Sequence, residues 1–328
     1  MMSDENLSWS EDELETMVRV ARLYYEQDLN QAQIARQLNT SRSTVSRLLQ
    51  RAREEGIVQI MIGYPWERCL SLEEQLGSRF DLNAVRVLRG IGRSVEDVID
   101  GIGLLAARYL DHVLKDGMVV GVSYGRSLAS MISHLQPTHK VNMTVVQIIG
   151  ALGSSNPFLE GPDQVRELAS QYGADYRYLY APLIVEDRRM RDLLVQEPAV
   201  QQILALGRRS DVVIIGIGSL VDSDSGGIWI GYLSEREQAW LRNIGAVGHM
   251  SAQFFDAQGE LLDVDINQRV IGIGLEALNA VPEVIAIAGS KEKGRSILGA
   301  LRGGYIDTLI TDEQAGREIM RLVEQEDT

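Results

Sequence analysis

Asp28 to Ile62 reads DLNQAQIARQLNTSRSTVSRLLQRAREEGIVQIMI, and its punctuation predicts two short helices, a tight turn and a β-rich run. Asn30 is a favourable N-cap for a first helix over Gln31 to Leu38, with Ile34, Ala35 and Leu38 on one face. Asn39 and Thr40 supply the turn, and Ser41 caps a second helix that runs to about Arg53. In that helix Val45, Leu48, Leu49 and Ala52 recur at helical spacing and turn inward. The opposite face shows Arg42, Ser43, Thr44, Ser46 and Arg47. Small hydroxyl side chains let a helix sit deep in the major groove of DNA, and arginine pairs with guanine edges or holds phosphate. Five arginines and no acid lie between Asn30 and Arg53, inside a chain of net charge -14. Such a local reversal of sign is the electrostatic footprint of a DNA contact. An ordinary α-hairpin with a solvated arginine face would share the spacing. Gly56, placed as a C′ glycine, and Ile57, Val58, Ile60 and Ile62, suited to a β-wing, favour a winged helix-turn-helix. The expected DNA contacts are Gln31, Ser41, Arg42, Ser43, Thr44, Ser46 and Arg47, with Arg51 and Arg53 on the phosphate backbone.

Upstream, Ser10 with Glu13 forms a capping box for a helix to about Glu26, with Leu14, Met17, Val18, Ala21 and Tyr25 on its expected buried face. Downstream, Gly63-Tyr64-Pro65 marks a break between domains, and a connecting helix is expected over Trp66 to Phe80. The predicted division is a DNA-binding domain over 1–62, a linker and connecting helix over 63–83, and a second domain over 84–328.

The chain's 328 residues and 45% apolar content allow two or more domains with a sizeable core. Its acidic balance confines any nucleic-acid contact to a local patch, best used as a dimer. Cys69 is the single cysteine, and the four histidines show no metal-ligand spacing, so neither a disulfide nor a metal or other cofactor is expected. The acidic start lacks the apolar core of a signal peptide, and no apolar run reaches the ~18 residues of a membrane span. A soluble, cytoplasmic protein without a membrane partner is the expectation.

From Ala84 strands and helices alternate. Strands are predicted at Val85 to Leu88, Met118 to Ser123, Val141 to Ile149, Asp175 to Tyr180, Asp211 to Ile217, Val284 to Ala288 and Ile306 to Ile310. Helices are predicted from Ser94 to Leu114, Arg126 to Leu135, Lys291 to Leu301 and Asp312 to Val323. Val/Ile runs without polar alternation indicate an α/β fold whose parallel sheet is covered on both faces. Ligands of such sheets bind beyond the carboxyl ends of the strands. Four glycine-bearing loops occupy such ends: Gly121-Val122-Ser123-Tyr124-Gly125-Arg126-Ser127, Gly150-Ala151-Leu152-Gly153, Gly216-Ile217-Gly218-Ser219, and Ala288-Gly289-Ser290-Lys291-Glu292-Lys293. Glycine at one such turn is ordinary turn chemistry. Four together suggest a shared pocket the size of a phosphosugar, with free backbone N–H groups and a helix N-terminus to take an anion.

These motifs together resemble the SorC family of bacterial sugar-responsive transcriptional regulators (SorC/DeoR-like). The resemblance is carried by LYYEQDLNQAQIA at Leu23, SRSTVSRLL at Ser41, GIVQI at Gly56, GVSYGRS at Gly121, DVVIIGIG at Asp211, FFDAQG at Phe254, AGSKEK at Ala288 and GGYIDTLITD at Gly303. They occur in the family's order and span nearly the whole chain after Ser10. The resemblance implies a winged helix-turn-helix joined to a Rossmann-like effector domain, similar in fold to glucosamine-6-phosphate deaminase and ribose-5-phosphate isomerase. It implies a homotetramer on double-stranded operator DNA, repressor or activator, released or recruited by a sugar or sugar phosphate. Ser123, Tyr124, Gly125, Arg126 and Ser127 would hold the effector, with Gly150, Gly216 and Gly218 lining it and Lys293 on the phosphate side. One departure is Val247-Gly248-His249, where the family has V-G-D and its Asp meets sugar hydroxyls. His249 is either a hydrogen-bonding group for hydroxyl or phosphate, or a structural histidine.

A phosphosugar isomerase or deaminase is the alternative that the fold relationship raises. It would need a placed acid–base pair, for which Asp263, Asp265 and Glu276 are the candidates, but no compact catalytic motif stands out and no catalytic residue is assigned.

Overall fold

The computed structural model describes residues 11–25, 29–55, 57–58, 68–90, 92–153, 161–220, 229 and 232–326. Contacts divide the chain into two compact units, Met1–Pro65 and Trp66–Thr328. The Ser10 cap, Gly56, Ile60, Ile62, Gly63-Tyr64-Pro65 and Trp66 lie outside the described residues.

The first unit contains α1 (Glu11–Tyr25), α2 (Gln31–Gln37) and α3 (Arg42–Glu54). Val20, Leu23, Ile34, Ala35, Val45 and Leu49 form its core. The face of α1 differs from the expected one: Met17, Val20, Ala21 and Leu23 are buried, while Leu14 and Tyr25 are exposed. The helix is apolar on more than one side, so periodicity alone could not choose Val20 over Val18. The run after α3 opens as a bend at Ile57 and Val58, not as a strand, because the Val58 N–H donates back to the Ala52 carbonyl at 2.8 Å.

The second unit begins with α4 (Leu70–Phe80), β1 (Ala84–Leu88) and α5 (Val95–Val113). The connecting helix starts at Leu70 rather than Trp66, since Arg68 is bridged to Leu88 and the Cys69 N–H bonds the Val87 carbonyl. There follow β2 (Val119–Val122), α6 (Arg126–Ser133), β3 (Thr144–Gln147), α7 (Gly161–Tyr172), β4 (Asp175–Arg177), α8 (Arg188–Leu194), α9 (Pro198–Gly207) and β5 (Val212–Gly216). A smaller group comprises β6 (Gly218–Ser219), α10 (Glu235–Asn243), β7 (Gly248–Met250), β8 (Gln253–Phe255), α11 (Asp265–Gln268) and α12 (Leu275–Leu278). The unit closes with β9 (Glu283–Ile287), α13 (Gly294–Arg302), β10 (Thr308–Asp312) and α14 (Glu313–Glu326). Lys291–Lys293 is a separate 3-10 turn ahead of α13, where one continuous helix was expected.

Seven strands make one sheet in the order β1-β10-β9-β5-β2-β3-β4, and every pairing in it is parallel. Alternate residues of its strands feed two cores. Val212 and Ile214 of β5 join the core under α5, α6 and α7, whereas Val213 and Ile215 join the core under α9, α13 and α14. Burial on both faces explains the unbroken Val/Ile runs. The chain order reverses direction between β2 and β5, which places the topological switch point there. A three-stranded antiparallel sheet, β6-β7-β8, adjoins the carboxyl end of β5.

Candidate DNA-binding face and effector site

Helices α2 and α3 of the first unit are capped as their sequence dictates. Asn30 Oδ1 accepts from the Ala32 and Gln33 N–H groups at 3.1 and 3.0 Å, and Gln33 Oε1 accepts from the Asn30 N–H at 2.9 Å. Ser41 Oγ accepts from the Thr44 N–H at 3.0 Å and lies 2.7 Å from Ser43 Oγ and 2.8 Å from Thr44 Oγ1. Ser41 is thus first a cap, and it orders the hydroxyls beside it. Arg42, Ser43, Ser46, Arg47 and Arg53 are exposed on α3, while Thr44, Arg51 and Gln31 are half-buried. Gln50 shares the exposed face and was not singled out from the sequence, where a mid-helix glutamine carries no signal.

In the second unit the loops beyond β2 and β5 are laced together at the switch point. The Ser123 N–H donates to the Ile214 carbonyl at 3.0 Å, and the Gly216 N–H donates to Ser123 Oγ at 3.4 Å. Gly125, at φ 144°, is the N-cap of α6. Its N–H and carbonyl are both held by the Gln164 amide, each at 3.2 Å. Gln164 lies 39 residues away on α7, a partnership that no spacing pattern signals. Ser123, Tyr124 and Ser127 are buried, and Gly125 and Arg126 half-buried. Arg126 also lines a groove of about 730 Å³ between α5, α6 and α7, with Asp100, Ser130, Asp163 and Gln164.

Gly150 has a structural task. Its carbonyl accepts from the Tyr124 hydroxyl at 2.8 Å, and a Cβ on it would stand 2.3 Å from the Pro182 carbonyl oxygen. The glycine permits a close crossing of two backbones.

Gly218 on β6 is in register with His249 on β7, and β6 abuts the Lys291–Lys293 turn. His249 Nε2 sits 2.0 Å from where a Gly218 Cβ would be, so only glycine leaves room for the ring. Burial, and second the nearby Lys293 cation, push the imidazole down to about 3, which keeps it neutral. The turn carrying Lys293 is anchored from below. Ser290, at φ 91°, donates its N–H to Asp312 Oδ1 at 2.7 Å, while Asp312 Oδ2 accepts from the Gln314 N–H at 3.0 Å. Burial raises the Asp312 carboxyl above its ordinary range, against the opposing pull of these N–H groups.

Two of the three carboxylates considered for acid–base work are engaged elsewhere. Asp265 pairs with Arg269 at 2.9 Å, and Asp263 accepts from Gln268 at 2.8 Å. Among the described residues no group of three or more His, Cys, Asp or Glu side chains is placed to hold a metal ion. No helix among them is long and apolar enough to cross a membrane.

A helix-turn-helix with an arginine face, joined in one chain to a parallel α/β unit with anion-suited loops, defines a ligand-responsive DNA-binding regulator. The sugar-binding domain family model matches residues 64–321, and the model for region 4 of sigma-70 matches residues 17–55. The chain is 33% identical to the sorbitol operon regulator of Klebsiella pneumoniae over 315 residues, covering 94% of this chain and 99% of that protein. It is 32% identical to the deoxyribonucleoside regulator of Bacillus subtilis, covering 92% of this chain and 96% of that one. The crystal structure of the full-length Klebsiella regulator superposes with a TM-score of 0.80 at 31% identity, over 94% of this chain and 99% of that one. The chain belongs to the SorC family of transcriptional regulators.

Proposed function

We propose that this protein binds the operator of a carbohydrate-utilisation operon through α3, and that a sugar or sugar phosphate seated beyond β2, β5 and β9 changes that binding. The observation that carries the reading is the joining, in one chain, of an acid-free arginine face to two glycine loops laced at a topological switch point. Arg42 and Arg47 contact bases or phosphates, Ser43 and Ser46 make short polar contacts, and Arg51 and Arg53 hold the backbone. The protein works as a homo-oligomer, a tetramer in the reading the family resemblance supports, because one short helix reads too little sequence alone. The effector acts by preferring one arrangement of the assembly, with a coupling on the order of 1–3 kcal/mol, or about 5–150-fold in operator affinity.

The test is a fluorescence-anisotropy titration at fixed salt, with duplexes tiled upstream of the protein's own gene and a panel of sugars and sugar phosphates. Fixed salt matters because phosphate contacts alone make affinity steeply salt-dependent. Tight binding to one tile, shifted by one compound, supports the reading. Binding of every tile at the level of random DNA overturns it.

A further inference from the structure

We propose that β4, the open edge of the seven-stranded sheet, is a self-pairing seam to which a second copy of this chain adds its own β4 in antiparallel register. This rests on the homo-oligomer reading above and gives that assembly a surface, one that neither the sequence motifs nor the glycine loops include.

An open sheet ends in two edges, and each presents a row of unpaired N–H and carbonyl groups unless something covers it. The β1 edge is covered. Val87 has both groups engaged, its N–H by Glu73 Oε1 at 2.9 Å and its carbonyl by the Cys69 N–H at 2.9 Å. The β4 edge is open, with Asp175, Tyr176 and Arg177 all exposed. Parallel pairing to β3 uses Asp175, whose N–H donates to the Met143 carbonyl at 3.1 Å. Alternation along the strand then turns the Tyr176 N–H and carbonyl away from β3, toward the open side.

The strand is complementary to itself. A two-fold axis through Tyr176 sets Asp175 of one copy opposite Arg177 of the other, twice, while the two Tyr176 residues exchange N–H···O bonds. Residues directly opposite share a face, so the tyrosine rings meet on one side of the strand and the charges on the other. Tyr176 already stacks against Tyr178, with ring centroids 5.0 Å apart. On the charged side a groove of about 600 Å³ lies between Arg177 and α9, lined by Pro198, Ile203 and Leu206, which leaves room for the paired side chains.

One contact must be exchanged. In the single chain the Arg177 guanidinium donates back to the Tyr176 carbonyl at 2.8 Å. Pairing frees that carbonyl for the Tyr176 N–H of the second copy and gives the guanidinium a carboxylate, a stronger, charge-assisted partner. An unrelated strand meets these charges in no fixed register. A copy of the same chain meets them in one that pairs both.

Sedimentation velocity of the full chain tests this. Asp175→Arg and Arg177→Asp each set like charges opposite one another across the seam. Each variant alone should weaken assembly by about tenfold or more and halve the mass of the particle. Mixed in equal amounts, the two variants meet opposite charges again, and the wild-type mass should return. Tyr176→Pro, which removes the outward N–H and spares the ladder to β3, should also halve the mass. In the unmodified assembled chain the Tyr176 N–H should be protected from hydrogen exchange, which tests the seam if a variant fails to fold. Wild-type mass in the single variants, no recovery on mixing, or a Tyr176 N–H that exchanges like an unstructured peptide overturns the seam while leaving the homo-oligomer standing. A wild type that is monomeric at every concentration overturns both.

Discussion

Gln164 on α7 grips Gly125 by both backbone groups at once, its Oε1 accepting the glycine N–H and its Nε2 donating to the glycine carbonyl, each at 3.2 Å. The planar amide thereby fixes a residue at φ 144°, a conformation close to exclusive to glycine, and with it the first turn of α6. Gln164→Ala removes both bonds. The expected result is a several-fold loss of effector affinity in a calorimetric titration, with operator binding in the absence of effector unchanged. Equal effector affinity would show that the loop is held by the Ser123 bonds alone.

Arg47 is exposed on the outward face of α3 and is not a member of the core formed by α1, α2 and α3. Arg47→Ala should weaken operator binding by about 1–3 kcal/mol, or about 5–150-fold, while effector binding and melting temperature stay the same. Anisotropy titrations at several salt concentrations separate two roles. A base contact relaxes sequence preference; a phosphate contact lowers the salt slope by about one.

Ser41 joins two tasks that one substitution can part. Ser41→Asp retains an N-cap acceptor for the Thr44 N–H but sets a negative charge beside the arginine face. Stability should hold and operator affinity should collapse. Ser41→Ala should do the reverse in kind, lowering stability by about 1 kcal/mol in thermal unfolding.

His249 ties stability to pH. Its imidazole is held down to about 3 against an ordinary 6.5, first by burial and then by Lys293. Between those values the unfolded chain binds a proton that the native chain refuses. The stabilising contribution is whole above about pH 6.5 and falls as the pH drops toward 3, by up to about 1.4 kcal/mol per unit. His249→Leu, which cannot titrate, should lose melting temperature less steeply between pH 6.5 and 4.5. Identical slopes for the two proteins would assign the loss to other groups.

The parts legible in the sequence were those set by local chemistry. Asn30 and Ser41 cap helices wherever the chain folds, and they do so here. The Val/Ile runs of β2, β5, β9 and β10 announced a sheet buried on both faces, because only that environment tolerates them. Tertiary placement hid the rest. The face of α1 is decided by α2 and α3, not by its own period. The small antiparallel sheet has strands of two or three residues, too short for alternation to register. Gly150 stands in a glycine loop at a strand end, and only the fold shows that the Pro182 backbone crosses against it. Gln164 is a single residue whose importance comes from what lies across space, which no spacing rule reports.

β1, the first strand of the α/β unit, lies directly beside β10, its last, and Glu73 of α4 ties the unit's opening to β1 by holding both the Arg68 guanidinium and the Val87 N–H. α14 packs back over α4 and β1. The unit is therefore a cassette in the engineer's sense, with opening and closing elements sharing one seam. New material spliced ahead of Arg68 leaves every strand pairing of the seven-stranded sheet intact, so the same unit can be fitted with a different reading head.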